Sequence, residues 1–79
     1  MTNDTKPAIE IYGKPDCPYC RRAREYYDEN GIDFIEYDAQ NDKDRQREML
    51  AYTDGDPTVP AIVENGVYVQ SGWGTPRRG

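Results

Sequence analysis

No histidine occurs among the 79 residues, cysteine occurs only twice, and acidic side chains outnumber basic ones by 15 to 10. A zinc site takes four ligands, usually Cys or His, so this inventory excludes an intramolecular zinc knuckle. The net charge of −5 argues against binding to a phosphate backbone, which depends on clustered Lys and Arg releasing counterions. Nucleic acid is therefore not an expected partner. Apolar residues make up 35% of the chain, and no run approaches the roughly 18 apolar residues of a membrane span. The segment Met1 to Pro7 is polar and lacks the apolar stretch of a signal peptide. The expectation is a cytoplasmic protein with no membrane partner. In a reducing compartment two cysteines point to catalysis or metal binding rather than to a disulfide scaffold.

With 35% hydrophobic and 32% charged residues, the composition leans toward disorder unless the apolar positions are well concentrated. Seven tyrosines supply the missing material, each burying a large ring while its hydroxyl stays at the rim. The length allows one small domain, read here as residues 1–79 with a core over about 8–72 and a flexible tail over 73–79. Four of the ten basic residues, Lys14, Arg21, Arg22 and Arg24, lie close to the cysteines, so the local field there can oppose the global one.

Periodicity and turn residues then order the elements. Ala8 to Tyr12 alternates, with Ile9 and Ile11 on one face and Glu10 on the other, as in a short strand ended by Gly13. Asp16 is placed to cap a helix starting near Cys17, where Pro18 loses no useful N–H, and the helix runs to about Asn30. Tyr19, Ala23, Tyr26 and Tyr27 form its core-facing stripe, and Gly31 suits a left-handed C-terminal cap. Ile32 to Asp38 reads as a strand parallel to the first. Asn41 or Asp42 caps a second helix to about Tyr52, with Met49 and Leu50 as its core contacts. Pro60 to Val63 and Val67 to Val69 flank Glu64-Asn65-Gly66 as a hairpin. The order is β-α-β-α-β-β, an α/β fold with no long closing helix after Ser71.

The chemistry centres on Cys17-Pro18-Tyr19-Cys20, set after a strand and across the first turn of a helix. A thiolate there meets unpaired backbone N–H groups and the positive end of the helix dipole, which favours Cys17 as nucleophile. Cys20, one turn deeper and partly covered, is expected to stay protonated until it attacks the mixed disulfide formed at Cys17. The motif carries no metal set of its own. A dimeric iron–sulfur cluster carrier, with the cluster shared between two chains through Cys17, is the non-enzymatic alternative, against which Pro18 counts by fixing the backbone beside the ligand.

Lys14 to Ala23 (K-P-D-C-P-Y-C-R-R-A), then Thr58-Val59-Pro60 and Asn65-Gly66, resemble the dithiol glutaredoxins over roughly residues 8 to 72. The resemblance implies a thioredoxin-like fold shortened at its C-terminus, with a four-stranded mixed sheet. It implies reduction of protein disulfides or glutathione mixed disulfides through Cys17 and Cys20, with glutathione as co-substrate and no bound cofactor. By the same resemblance Pro60 is cis, and Thr58, Val59 and Pro60 border the groove, where Val59 offers its N–H and C=O to a thiol peptide as an added strand would. Lys14 would pair with a glutathione carboxylate, Tyr19 would lie along the ligand, and Arg21 or Arg22 could assist.

The chain departs from the family after the hairpin. Gln70-Ser71-Gly72-Trp73-Gly74 stands where typical glutaredoxins carry a Gly-Gly pair and an acid that hold the γ-glutamyl end. The backbone amides of Ser71 and Gly72 are left to bind a carboxylate. Ser71-Gly72-Trp73 also resembles a stretch of redoxins fed by thioredoxin reductase that serve ribonucleotide reductase, which makes that donor the alternative. A monomer is expected, with disulfide-containing proteins as partners.

Overall fold

The computed structural model describes residues 8–74 and Arg78. Six elements follow the expected order: β1 (Ile9–Gly13), α1 (Pro18–Glu29), β2 (Phe34–Asp38), α2 (Lys43–Thr53), β3 (Ala61–Glu64) and β4 (Val67–Ser71). The strands form one mixed sheet in the order β2-β1-β3-β4, with β1 parallel to β2 and antiparallel to β3. Among the described residues no helix is long and apolar enough to cross a membrane.

The boundaries move for identifiable reasons. Gly13 belongs to β1 instead of ending it, because it pairs with Asp38 and its carbonyl accepts the Ala39 N–H at 2.8 Å. β2 begins at Phe34, two residues later than the sequence suggests, since the Ile32 N–H is still bonded to the Tyr27 carbonyl in the C-terminal turn of α1. That turn uses Gly31 at φ +67, as expected of a left-handed position. Asp42 is the cap of α2, its Oδ1 accepting the N–H groups of Asp44 and Arg45. In the hairpin, Asn65 and Gly66 both adopt positive φ, the conformation of a two-residue type I′ turn. A bulge between Ile62 and Val63 shifts the β3–β4 register, and β4 continues to Ser71.

β1 is central and buried along its whole length, so its alternation separates two cores rather than core from solvent. On one face Ile9 and Ile11 meet Ile62, with Ala23 and Tyr27 of α1, Phe34 and Trp73 packed around them. On the other face Tyr12, Ala61 and Val63 meet Met49, with Tyr37, Leu50 and Tyr52 at the margin. The helical stripe is narrower than the sequence suggests. Ala23 and Tyr27 are buried, Tyr19 is half-buried, and Tyr26 is 48% exposed with its ring edge-on to Tyr27.

Tyr12 is fully buried, not at the rim as the sequence suggests, whereas Tyr37 lies at the margin. Tyr12 packs its ring 4.9 Å from that of Tyr37 and donates its hydroxyl to Glu48 at 3.2 Å. Tyr37 donates to the buried Glu10 carboxylate at 2.8 Å, and the Arg45 guanidinium lies 4.2 Å above its ring. Burial and the neighbouring carboxylates push the Tyr37 hydroxyl up to about 12 and raise that of Tyr12 as well.

The tail beyond β4 differs from expectation where it is described. Trp73, assigned to a flexible tail by the sequence, is half-buried against Tyr26 and Tyr27 at ring distances of 5.6 and 5.9 Å. Its backbone pairs with Arg78 through two hydrogen bonds, at 2.7 and 2.9 Å. The indole thus caps the core on the α1 side, where no closing helix follows within the described residues. The rest of the expected tail, residues 75–77 and 79, lies outside the described residues, as does the segment 1–7.

Candidate active site

The site begins where β1 runs out. Lys14 and Pro15 lead to Asp16, whose φ of +59 turns the chain left-handed and delivers Cys17 to the start of α1. Asp16 is consequently not the helix cap, since that position requires an extended backbone. Cys17 takes the role itself, at φ −96 and ψ 111, with its Sγ accepting the Cys20 N–H at 3.2 Å. A thiolate at Cys17 would receive a charge-assisted hydrogen bond from that same donor.

Both thiols are free, and their surroundings differ. Cys17 is 5% exposed and lines an open cavity of about 340 Å³ with Asp16, Pro18, Arg21 and Arg24. Cys20 is sealed at 0% exposure. Burial foremost, then its relation to Cys17 and the charge of Glu36, push the Cys20 thiol up to about 12, while the Lys14 backbone N–H acts in the opposite sense. The pair is therefore chemically unequal: one sulfur is reachable, and the other holds its proton.

The cis bond between Val59 and Pro60, expected from the resemblance, is present. Val59 is buried in the same cluster as both cysteines, with Tyr19 packed against it. No described residue bonds the Val59 backbone. Beside it a groove of about 190 Å³ is lined by Lys14, Ala39, Gln46, Met49, Leu50 and Val59, among others, with Lys14 exposed at its margin. Lys14, Tyr19, Cys17 and Val59 are thus gathered at one end of the sheet. Arg22 is directed elsewhere, stacking its guanidinium 5.4 Å from the Tyr19 ring centre.

Four sequence candidates play other parts. Thr58 donates its backbone N–H to Asp56 Oδ1 at 2.9 Å, and its side chain also bonds that carboxylate, so it fixes the loop that carries Val59. Pro60 is fully buried, and it is the preceding Val59 that lines the groove. Gly72 does not offer an amide to a ligand, because its N–H is spent on the Pro60 carbonyl at 2.8 Å. The Ser71 side chain is engaged separately, its Oγ lying 2.7 Å from the Tyr68 hydroxyl. The Gly72–Pro60 bond continues the pairing of β4 with β3, which local sequence could not reveal.

The residue that sequence reasoning missed is Glu36. It lies opposite Ile11 on β2, on the face covered by α1, and Arg24 Nη1 donates to both of its oxygens at 2.8 and 2.7 Å. The signal was faint: an acid in phase with Phe34 on a strand otherwise rich in apolar residues. Among the described residues no three His, Cys, Asp or Glu side chains converge as metal ligands.

The glutaredoxin family profile matches residues 9–69, which covers both cysteines, the cis-proline and most of the hairpin. This chain belongs to the glutaredoxin family. It is 38% identical over 60 residues to a probable glutaredoxin of Synechocystis, covering 76% of this chain and 55% of that protein. It is 37% identical over 54 residues to glutaredoxin 3 of Escherichia coli, covering 68% and 64% of the two chains. The chain thus spans between about half and two thirds of the length of these relatives. Among solved structures, the buckwheat glutaredoxin–glutathione complex superposes with a TM-score of 0.69 at 24% identity, over 82% of this chain and 61% of that one. The thioredoxin-like protein BC3987 superposes with the same score at 31% identity, over 86% and 90%. The glutaredoxin fold is therefore present without a closing helix among the described residues.

Proposed function

We propose that this glutaredoxin-family chain is a thiol–disulfide oxidoreductase that works through both cysteines, with glutathione as electron donor. Cys17 attacks a protein disulfide or a glutathione mixed disulfide, and Cys20 then displaces the bound thiol. The observation that carries this reading is the inequality of the two thiols at the start of α1, Cys17 open to a cavity and Cys20 sealed and held protonated. Lys14 and the unbonded Val59 backbone beside the groove suit a short peptide thiol with a free carboxylate. A reducing compartment such as the cytoplasm keeps such a pair active, and a monomer suffices for the chemistry.

One observation favours a second donor. With the Gly72 amide taken by Pro60 and no acid at the end of β4, the γ-glutamyl end of glutathione has little to hold it. A charge-assisted bond of the missing kind contributes about 1.5 to 3 kcal/mol, roughly tenfold or more in affinity. Weak glutathione use would leave room for thioredoxin reductase as the electron source.

The test offers the same disulfide substrate with glutathione plus glutathione reductase, and separately with thioredoxin reductase. Turnover is expected with glutathione at a high KM; turnover with the reductase alone moves the assignment to the second donor. Cys17→Ser should abolish exchange with either donor, whereas Cys20→Ser should accumulate a mixed disulfide visible by mass spectrometry. Labelling of Cys20 ahead of Cys17 at neutral pH would refute the assigned roles.

A further inference from the structure

Gly13 closes β1 directly beneath α1, and a side chain there would meet two functional groups at once. A Cβ at Gly13 would stand 3.0 Å from Cys20 Sγ and 3.1 Å from Glu36 Oε2. Thiol and carboxylate therefore approach one bare point of backbone, the first from α1 and the second from β2. Arg24 follows Cys20 by four residues, on the same face of α1, and clasps both Glu36 oxygens. The pair is partly withdrawn from water, with 26% of the Glu36 side chain and 36% of the Arg24 side chain exposed. In such a setting a charge acts on its neighbours more strongly than in bulk solvent.

We propose that Glu36 and Arg24 together tune the reactivity of Cys20 on top of what its burial sets, the carboxylate opposing formation of the thiolate and the guanidinium limiting how strongly it does so. The inference rests on the reading of Cys20 as the resolving thiol. In that step Cys20 gives its proton to solvent, and its sulfur forms a bond to Cys17 Sγ. The bond between Cys17 and the glutathione sulfur breaks, the electron pair leaves on glutathione, and water supplies that thiolate with a proton. One disulfide replaces another in this step: the Cys20 sulfur is oxidised to the disulfide level as the glutathione sulfur is reduced to the thiol.

A second negative charge next to Glu36 is the cost of reaching the Cys20 thiolate, and Arg24 offsets part of it. The other charges in reach are Cys17 on the same turn and, around the cavity of about 270 Å³ on which the ion pair opens, Lys14, Asp16 and Asp38. Glu36 and Arg24 are positioning residues in this scheme, acting on the reacting sulfur by their charge.

The two members of one ion pair should thus shift Cys20 in opposite directions. With Cys17→Ser as parent, Cys20 is the single thiol, and its alkylation by iodoacetamide under native conditions reads its thiolate fraction. At a pH well below the pKa, a tenfold change in the acid dissociation constant of the thiol changes that fraction tenfold. Glu36→Gln is expected to speed alkylation several-fold, Arg24→Gln to slow it several-fold, and Arg24→Lys to stay within about twofold of the parent. Loosening of the fold would instead speed alkylation in every variant, because Cys20 is fully buried. The same opposite signs are expected, with both cysteines present, for release of glutathione from a preformed mixed disulfide at Cys17. Glutamine substitutions that move alkylation in the same direction, or Arg24→Gln that leaves it unchanged, overturn the proposal. Because alkylation is read without Cys17, failure of the dithiol reading shows separately, as absence of a trapped mixed disulfide in Cys20→Ser.

Discussion

At the scale of single residues, the chain separates two identical side chains by placing them one helical turn apart. Cys20 carries a proton that its environment defends up to about 12, against 9.0 for an ordinary cysteine. Its folded pKa is raised, so between these values the native state holds more protons than the unfolded one. The resulting stabilisation is full below about pH 9 and is lost as pH climbs toward 12. Denaturant titrations of the reduced protein across this window should show stability falling with pH, and Cys20→Ala should flatten part of the slope. An unchanged slope would mean that Cys20 does not hold its proton in the folded state. Gly13 matters at the same scale. Gly13→Ala forces a methyl group against Cys20 Sγ and Glu36 Oε2, so a loss of about 1 to 3 kcal/mol in stability is expected from chemical denaturation.

At the scale of elements, α1 is both the carrier of the thiols and one wall of a core that Trp73 completes. The indole sits on Tyr26 and Tyr27, and its backbone bridge to Arg78 places that residue beside Gly72. A Cβ at Gly72 would approach the Arg78 backbone to 3.1 Å, so the residue before the indole is constrained by the same turn. Trp73→Ala should cost roughly 2 to 3 kcal/mol, less than for a fully buried aromatic, read as a shift of the urea midpoint at constant m-value. Retained disulfide reductase activity in the folded fraction would show that the indole serves the fold rather than the chemistry. An acid engineered at Gly74 to recapture glutathione would have to adopt φ +99, which favours glycine, so that repair carries backbone strain of its own.

At the scale of the whole molecule, the central strand divides the interior into a side under α1, where isoleucines meet Tyr27, Phe34 and Trp73, and a tyrosine-rich side under α2. The second side is unusual in enclosing a carboxylate, Glu10, bonded to Tyr37, with Arg45 stacked on the outer edge. Removing the hydroxyl weakens the network without opening a cavity. Tyr37→Phe is expected to lower stability by about 1 to 2 kcal/mol in equilibrium unfolding, with thiol exchange at Cys17 unaffected. A stability equal to that of the unaltered protein would show that the other partners of Glu10 satisfy it alone.

Much of this was readable along the chain because it is local. Alternating Ile9 and Ile11, the Asp42 cap, the left-handed Gly31 and the Asn65-Gly66 turn each follow from a few adjacent residues and their backbone preferences. Cys17-Pro18-Tyr19-Cys20 at a helix start likewise marked the two thiols proposed to react. What the sequence could not settle depends on groups distant in the chain. The commitment of the Gly72 amide to Pro60 follows from β4 pairing with β3, and the order within the sheet buries Glu10 by covering both faces of β1. Glu36 reaches the neighbourhood of Cys20 only because β2 lies parallel to β1 under α1, with Gly13 leaving the space between them. Backbone propensity and capping act over a few residues and are written in order. Burial and electrostatic environment are sums over neighbours that the chain assembles only when the sheet closes.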